Sequence, residues 1–145
     1  MTHDKKLLIV EVLSRGPSFH YRYDVFRSEG CKLFYLTTST GINYPFDGLK
    51  RVPTRQIDDF VDIATAWHES EKFDAIITTD EASVIATALL AERLKMPGPS
   101  VLAARNSRNK LLMREAHRQH GAPHPEFARC GAVEDALQFA ERVGY

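Results

Sequence analysis

Two short polar segments follow apolar runs and carry residue types able to hold a ligand. Ser14, Arg15, Gly16, Pro17 and Ser18 come after residues 7–13 (LLIVEVL), and Thr78, Thr79, Asp80 and Glu81 close the run 74–79 (DAIITT). Gly16 lets backbone approach an anion, and Arg15 offers a planar fork to a carboxylate or phosphate. Each feature also has a plainer explanation. SRGPS lacks the GxGxxG and GxxxxGK[ST] patterns, so an ordinary strand-to-helix turn accounts for it. Helix capping and the helix dipole account for Asp80 and Glu81. His117, His120 and His124 raise a zinc site, but two lie three apart on a polar helix and the third follows a Gly-Ala-Pro bend, which is no ligand spacing; no metal is expected. Cys31 and Cys130 lack a CxxC partner and read as free thiols. Arg105, Arg108, Lys110, Arg114 and Arg118 read as a solvated helix face, without the interleaved aromatics of a nucleic-acid groove.

The elements that must position these residues are legible from periodicity. Residues 7–13 form a nearly continuous branched apolar run, as in a strand buried on both faces of a parallel sheet. A helix over 18–29, ended by Gly30, and a strand over 32–36 complete a βαβ unit. Residues 51–53 suit an edge strand, since Pro53 cannot donate to a ladder. Ile57, Phe60, Val61, Ile63, Ala64 and Trp67 recur at helical steps. Residues 74–79 read as a further strand, and 81–94 as a helix that Asp80 caps. Pro97, Gly98 and Pro99 break the pattern. Beyond them, helices are expected over 101–105, over 107–119 with Ser107 as N-cap, and over 133–143, with an extended run at 126–129. The alternation predicts an α/β fold, an open doubly wound parallel sheet, over 1–98, and a helical segment over 99–145.

Composition limits the function classes. With 43% hydrophobic and 26% charged residues over 145 positions, the chain is of ordinary globular type. Nineteen Lys and Arg balance nineteen Asp and Glu, so no overall field draws it to nucleic acid or an anionic membrane. The apolar runs are too short to span a bilayer. The charged start, Met1 to Lys6, has no signal-peptide pattern, which predicts a cytoplasmic location.

One stretch carries more specific information. The segment PGPSVLAARNSRNKLLMREAHRQHGAPHPEFARCGAVEDALQFAERVGY resembles the approach segment of ATP-grasp enzymes, the superfamily that includes biotin carboxylase, D-alanine ligase and the dipeptide-forming L-amino-acid ligases. The matching positions are Met96, Pro97 and Gly98; Arg108 and Lys110; Gly121, Pro123, Pro125 and Phe127; and Glu134, Ala136, Phe139, Ala140, Gly144 and Tyr145. Asn109 departs from the pattern, where many members have aspartate. The upstream half is similar to the α/β domain that precedes the nucleotide-binding domain in that superfamily.

The resemblance implies a Rossmann-like pre-ATP-grasp domain followed by a linker that begins the ATP-grasp domain. It implies a whole protein that uses ATP and magnesium to activate a carboxylate as an acyl phosphate, which an amine then attacks. Lys110 would contact an ATP phosphate, and Glu81, Arg15 and Gly16 would line the substrate side. No catalytic residue or metal ligand is assigned within these residues. The 145-residue chain alone is expected to bind no cofactor and to catalyse nothing, because the main nucleotide site would follow Tyr145. Two other readings stay open. One is a stand-alone α/β module binding a small anion through SRGPS and TTDE. The other is a domain for self-association into a homodimer through Phe19, Tyr21 and Tyr23.

Overall fold

A computed structural model describes residues 4–14 and 16–144. They divide into two compact units, Met1–Val101 and Leu102–Tyr145. In the first, β1 (Lys6–Glu11) is buried at every position after Lys6, as its apolar run requires of a central parallel strand. It pairs in parallel with β2 (Lys32–Thr37) on one side and β4 (Ala75–Ile77) on the other. The short β3 (Gly48–Arg51) pairs with β2, so the order is β3-β2-β1-β4. The expected edge strand is real but lies earlier than residues 51–53. Val52 N–H still donates to Thr37 C=O at 2.9 Å, and Pro53, with no N–H to offer, stands just outside the ladder.

Alternate residues of the central strands feed two apolar layers. Leu7, Ile9, Leu33 and Tyr35 meet Tyr23 of helix α1 (Tyr21–Ser28), with Tyr44 and Phe46 packed around them. Leu8, Val10, Phe34 and Leu36 meet Phe60, Val61, Ala64 and Trp67 of α2 (Ile57–Glu71), and Ala86 and Leu90 of α3 (Val84–Arg93). Helices thus cover both faces, which gives the doubly wound parallel sheet expected from the sequence. Tyr23 is 3% exposed. This corrects its reading as a surface aromatic: the layer needs a ring there, and only Tyr21 remains well exposed.

The first helix is shorter than 18–29, because residues Pro17–Phe19 form a separate 3-10 turn before α1. A second 3-10 turn, Glu81–Ser83, similarly precedes α3. It is held by a tertiary contact: Ser83 Oγ–H donates to Asp80 Oδ2 at 2.8 Å and accepts from Val12 N–H at 2.7 Å. Asp80 also accepts from Ala82 N–H at 3.3 Å, so its capping role holds.

In the second unit α4 (Val101–Arg108) runs past residue 105, and Ser107 is not an N-cap. Its hydroxyl turns back to donate to Ala104 C=O at 2.8 Å. Asn109 caps α5 (Lys110–Gln119) instead, its Oδ1 accepting from Leu111 N–H at 3.0 Å and Leu112 N–H at 3.2 Å. Aspartate offers the same acceptor, so the departure from the family pattern leaves the local geometry intact. Residues 126–129, expected as an extended run, form no strand, since none of the four described strands lies in this unit. Helix α6 (Val133–Val143) ends at Gly144 with φ 83°, a left-handed cap that glycine adopts at no steric cost.

Candidate functional site

The chain leaves β1 for β2 on one side and later returns to β4 on the other, so the connections diverge at the carboxyl ends of β1 and β4. Ligands of open α/β sheets bind at such a point. Here the last residue of β1 is Glu11, which is 2% exposed. Its Oε2 accepts from Tyr23 Oη–H at 2.9 Å and Tyr35 Oη–H at 2.8 Å, and its Oε1 accepts from the Thr79 hydroxyl. Arg22 reaches the same loop, its Nη1 donating to Thr79 C=O at 3.1 Å and Thr79 Oγ1 at 2.8 Å. The Arg22 guanidinium also lies 4.5 Å over the Phe19 ring.

A carboxylate removed from water is tolerated when its lone pairs are filled. Three hydroxyls from α1, β2 and the loop after β4 fill them, so Glu11 braces the loop that carries Thr79, Asp80 and Glu81. Burial pushes Tyr35 up to about 12, and the nearby Glu11 charge adds to the shift. Burial likewise raises Tyr23, aided by its bond with Tyr35 and the charge of Glu11. Both phenols therefore stay protonated donors near neutral pH.

Beside the switch point, over the carboxyl ends of β1 and β2, opens a cleft of about 400 Å³ lined by Gly16, His20, residues 38–43 and Arg55 among others. Of the sequence-assigned site residues that the structure describes, Gly16 alone lines it, at φ 78°. Glu81 is exposed at the start of its 3-10 turn and is not among the lining residues. Arg15 lies outside the described residues. Lys110 belongs to the second unit, where it is exposed as the first residue of α5 and lines a shallow cleft of about 220 Å³ with Arg114, Phe127 and Arg129. Among the described residues, no three His, Cys, Asp or Glu side chains gather as a metal site.

Sequence reasoning missed Glu11, Tyr35, Arg22, the loop 38–43 and Arg55. One signal was present for Glu11, a lone charge inside an apolar strand. Arg22 and Arg55 carried no local mark.

The fold is the doubly wound parallel α/β sheet expected from the sequence. The chain is similar to the solved structure of L-amino acid ligase from Bacillus licheniformis, with a TM-score of 0.77, 22% identity, and coverage of 93% of this chain and 35% of that one. It is also similar to phosphoribosylglycinamide synthetase from Anaerococcus prevotii, with a TM-score of 0.67, 15% identity, and coverage of 97% of this chain and 35% of that one. At these identities the likeness is one of fold, and the chain spans about a third of each solved chain's length. No protein-family model and no curated protein matches the sequence.

Proposed function

We propose that this chain is the substrate-side portion of an ATP-dependent ligase that joins a carboxylate to an amine. The observation that carries the reading is the likeness to L-amino acid ligase over 93% of this chain but only 35% of that one. The ordered ATP-grasp-like residues between Pro97 and Gly144 add to it. Under this reading residues 1–98 are the α/β domain, and 99–145 lead into the nucleotide-binding part.

In the proposed reaction a carboxylate oxygen attacks the γ-phosphorus of ATP and ADP leaves. The amine nitrogen then attacks the carbonyl carbon of the acyl phosphate, the nitrogen loses a proton, and inorganic phosphate departs. Lys110 acts as a mobile point charge on an ATP phosphate, and Arg114 and Arg129 in the same shallow cleft give that surface a positive field suited to phosphate. Glu81, Arg15 and Gly16 serve the substrate side, with Glu11 holding the loop that bears Glu81. Magnesium would offset charge on the transferring phosphoryl group. Among the described residues no ligand cluster for it is present. Balanced charge favours small-molecule substrates over nucleic acid. Burial of Tyr23 removes one of three aromatics that a homodimer reading rests on. No described helix is long and apolar enough to cross a membrane, and a cytoplasmic location accompanies this proposal.

The test uses the native polypeptide from its source cell, isolated with an antibody to this domain. A mass well above 16.4 kDa, with ADP release that depends on an added pair of amino acids, is the expected result. Lys110→Ala in that polypeptide should raise the ATP requirement about tenfold to a hundredfold, the loss of one charged hydrogen bond. An unchanged ATP requirement, or ATP-dependent ligation by the 145-residue chain alone, would overturn the reading.

A further inference from the structure

The cleft over β1 and β2 holds an arginine with no partner among the described residues. Arg55 is exposed, lines the cleft, and makes no hydrogen bond or ion pair with any described residue. Residues 40–43 of the loop after β2 line the same cleft, and their backbone N–H groups have no protein acceptor among the described residues. Gly41 within that run has φ 67°. Successive free N–H groups beside a left-handed residue form concavities that bind anions.

The preceding groups are already satisfied, which keeps the loop in place. Thr38 Oγ1–H donates to Val12 C=O at 2.6 Å, Ser39 N–H donates to Thr37 Oγ1 at 3.1 Å, and Ser39 Oγ accepts from Ser14 N–H at 2.8 Å. His20 also lines the cleft, its ring edge-on to Tyr44 at 5.0 Å. Leu13, Pro17 and Ile42 supply apolar surface. The cleft, at about 400 Å³, lies within the size range of small-molecule sites.

We infer that this cleft binds the oxyanion group of a small metabolite, a carboxylate or a phosphate, through Arg55 and the N–H groups of residues 40–43. Gly16, which the ligase reading assigns to the substrate side, lines the same cleft, but the binding groups named here do not include Lys110 or Glu81, so anion binding by this chain can be measured whether or not the ligase reading holds. The guanidinium fork matches both oxyanions in bidentate geometry, the loop amides close on the remaining oxygens, and the apolar wall takes the adjoining carbon.

The experiment titrates the 145-residue chain with inorganic phosphate, and separately with acetate, at constant ionic strength, following backbone amide NMR shifts. Saturable shifts at residues 40–43 are expected from at least one anion. Saturation by phosphate alone assigns a phosphate ligand, and by acetate alone a carboxylate ligand. Arg55→Gln, at an exposed position that leaves the fold intact by its spectrum, should weaken binding about tenfold. Arg51→Gln, at an exposed arginine on β3 that is not among the cleft's lining residues, should leave it unchanged. The absence of saturation, equal weakening by both substitutions, or saturable shifts confined to other residues would overturn the inference.

Discussion

Replacing Glu11 with alanine tests whether the brace at the switch point is energetically real. The side chain is 2% exposed and accepts hydrogen bonds from Tyr23, Tyr35 and Thr79. Removing it strands three hydroxyl donors. The Tyr23 and Tyr35 oxygens stand 3.5 Å apart and can share one bond, which leaves two donors without an acceptor. Each such group costs about 1–3 kcal/mol, and the void left by the side chain adds about 1 kcal/mol. The total centres near 5 kcal/mol, a large part of the roughly 5–15 kcal/mol that stabilises a domain of this size. Glu11→Gln keeps a carbonyl acceptor for the tyrosines and turns an amide donor toward Thr79 Oγ1, so it should cost no more than about 2 kcal/mol. Urea unfolding followed by the fluorescence of Trp67, which is buried in the same unit, measures both. Equal costs for the two variants, or a cost for alanine below about 1 kcal/mol, would refute the brace.

The raised tyrosines predict an alkaline transition. A phenol that ionises near 10 when unfolded and at about 12 in the fold leaves the unfolded state binding fewer protons between those values, so stability is full below about pH 10 and falls as pH rises toward about 12. Unfolding midpoints that stay flat across that range would contradict it. Gly48→Ala should destabilise the first unit by about 1–3 kcal/mol. An added Cβ would stand 2.6 Å from Phe34 Cδ1 and 2.9 Å from Trp67 Cζ2, and both atoms belong to packed rings; an unchanged melting temperature would count against this packing. Asn109→Ala should lower the helicity of α5 and cost about 1 kcal/mol, while Asn109→Asp should not; circular dichroism of both variants checks the pair.

Much of this architecture was legible without coordinates, because periodicity is local. The apolar run 7–13 marked a buried strand, which the structure ends at Glu11 with Leu13 exposed, and the steps of three and four from Ile57 to Trp67 marked a helix with one buried face. The resemblance over 97–145 likewise depended on residue order, which survives in the sequence. Caps and short turns were harder to read, since they hang on single hydrogen bonds. Ser107 and Asn109 are both good N-cap types, and only the backbone shows which hydroxyl or amide meets the free N–H groups. The 3-10 turn at 81–83 owes its form to Val12, some seventy residues away in sequence.

What the sequence by itself determined is the class of fold: alternating strands and helices with an apolar center, which side-chain spacing alone imposes. What only the tertiary structure decided is which polar groups meet. Glu11, Tyr23, Tyr35 and Thr79 come from a strand end, a helix, a neighbouring strand and a loop. The parallel register that sets Glu11 beside Thr37 and Ile9 beside Tyr35 is what brings them within hydrogen-bond reach. The cleft at Arg55 arises in the same way, from a loop after β2 and a residue ahead of α2 that share no local pattern. Hydrogen bonds reach only about 3 Å, so their partners are chosen by packing in three dimensions, whereas burial of an apolar face is already written in its spacing along the chain.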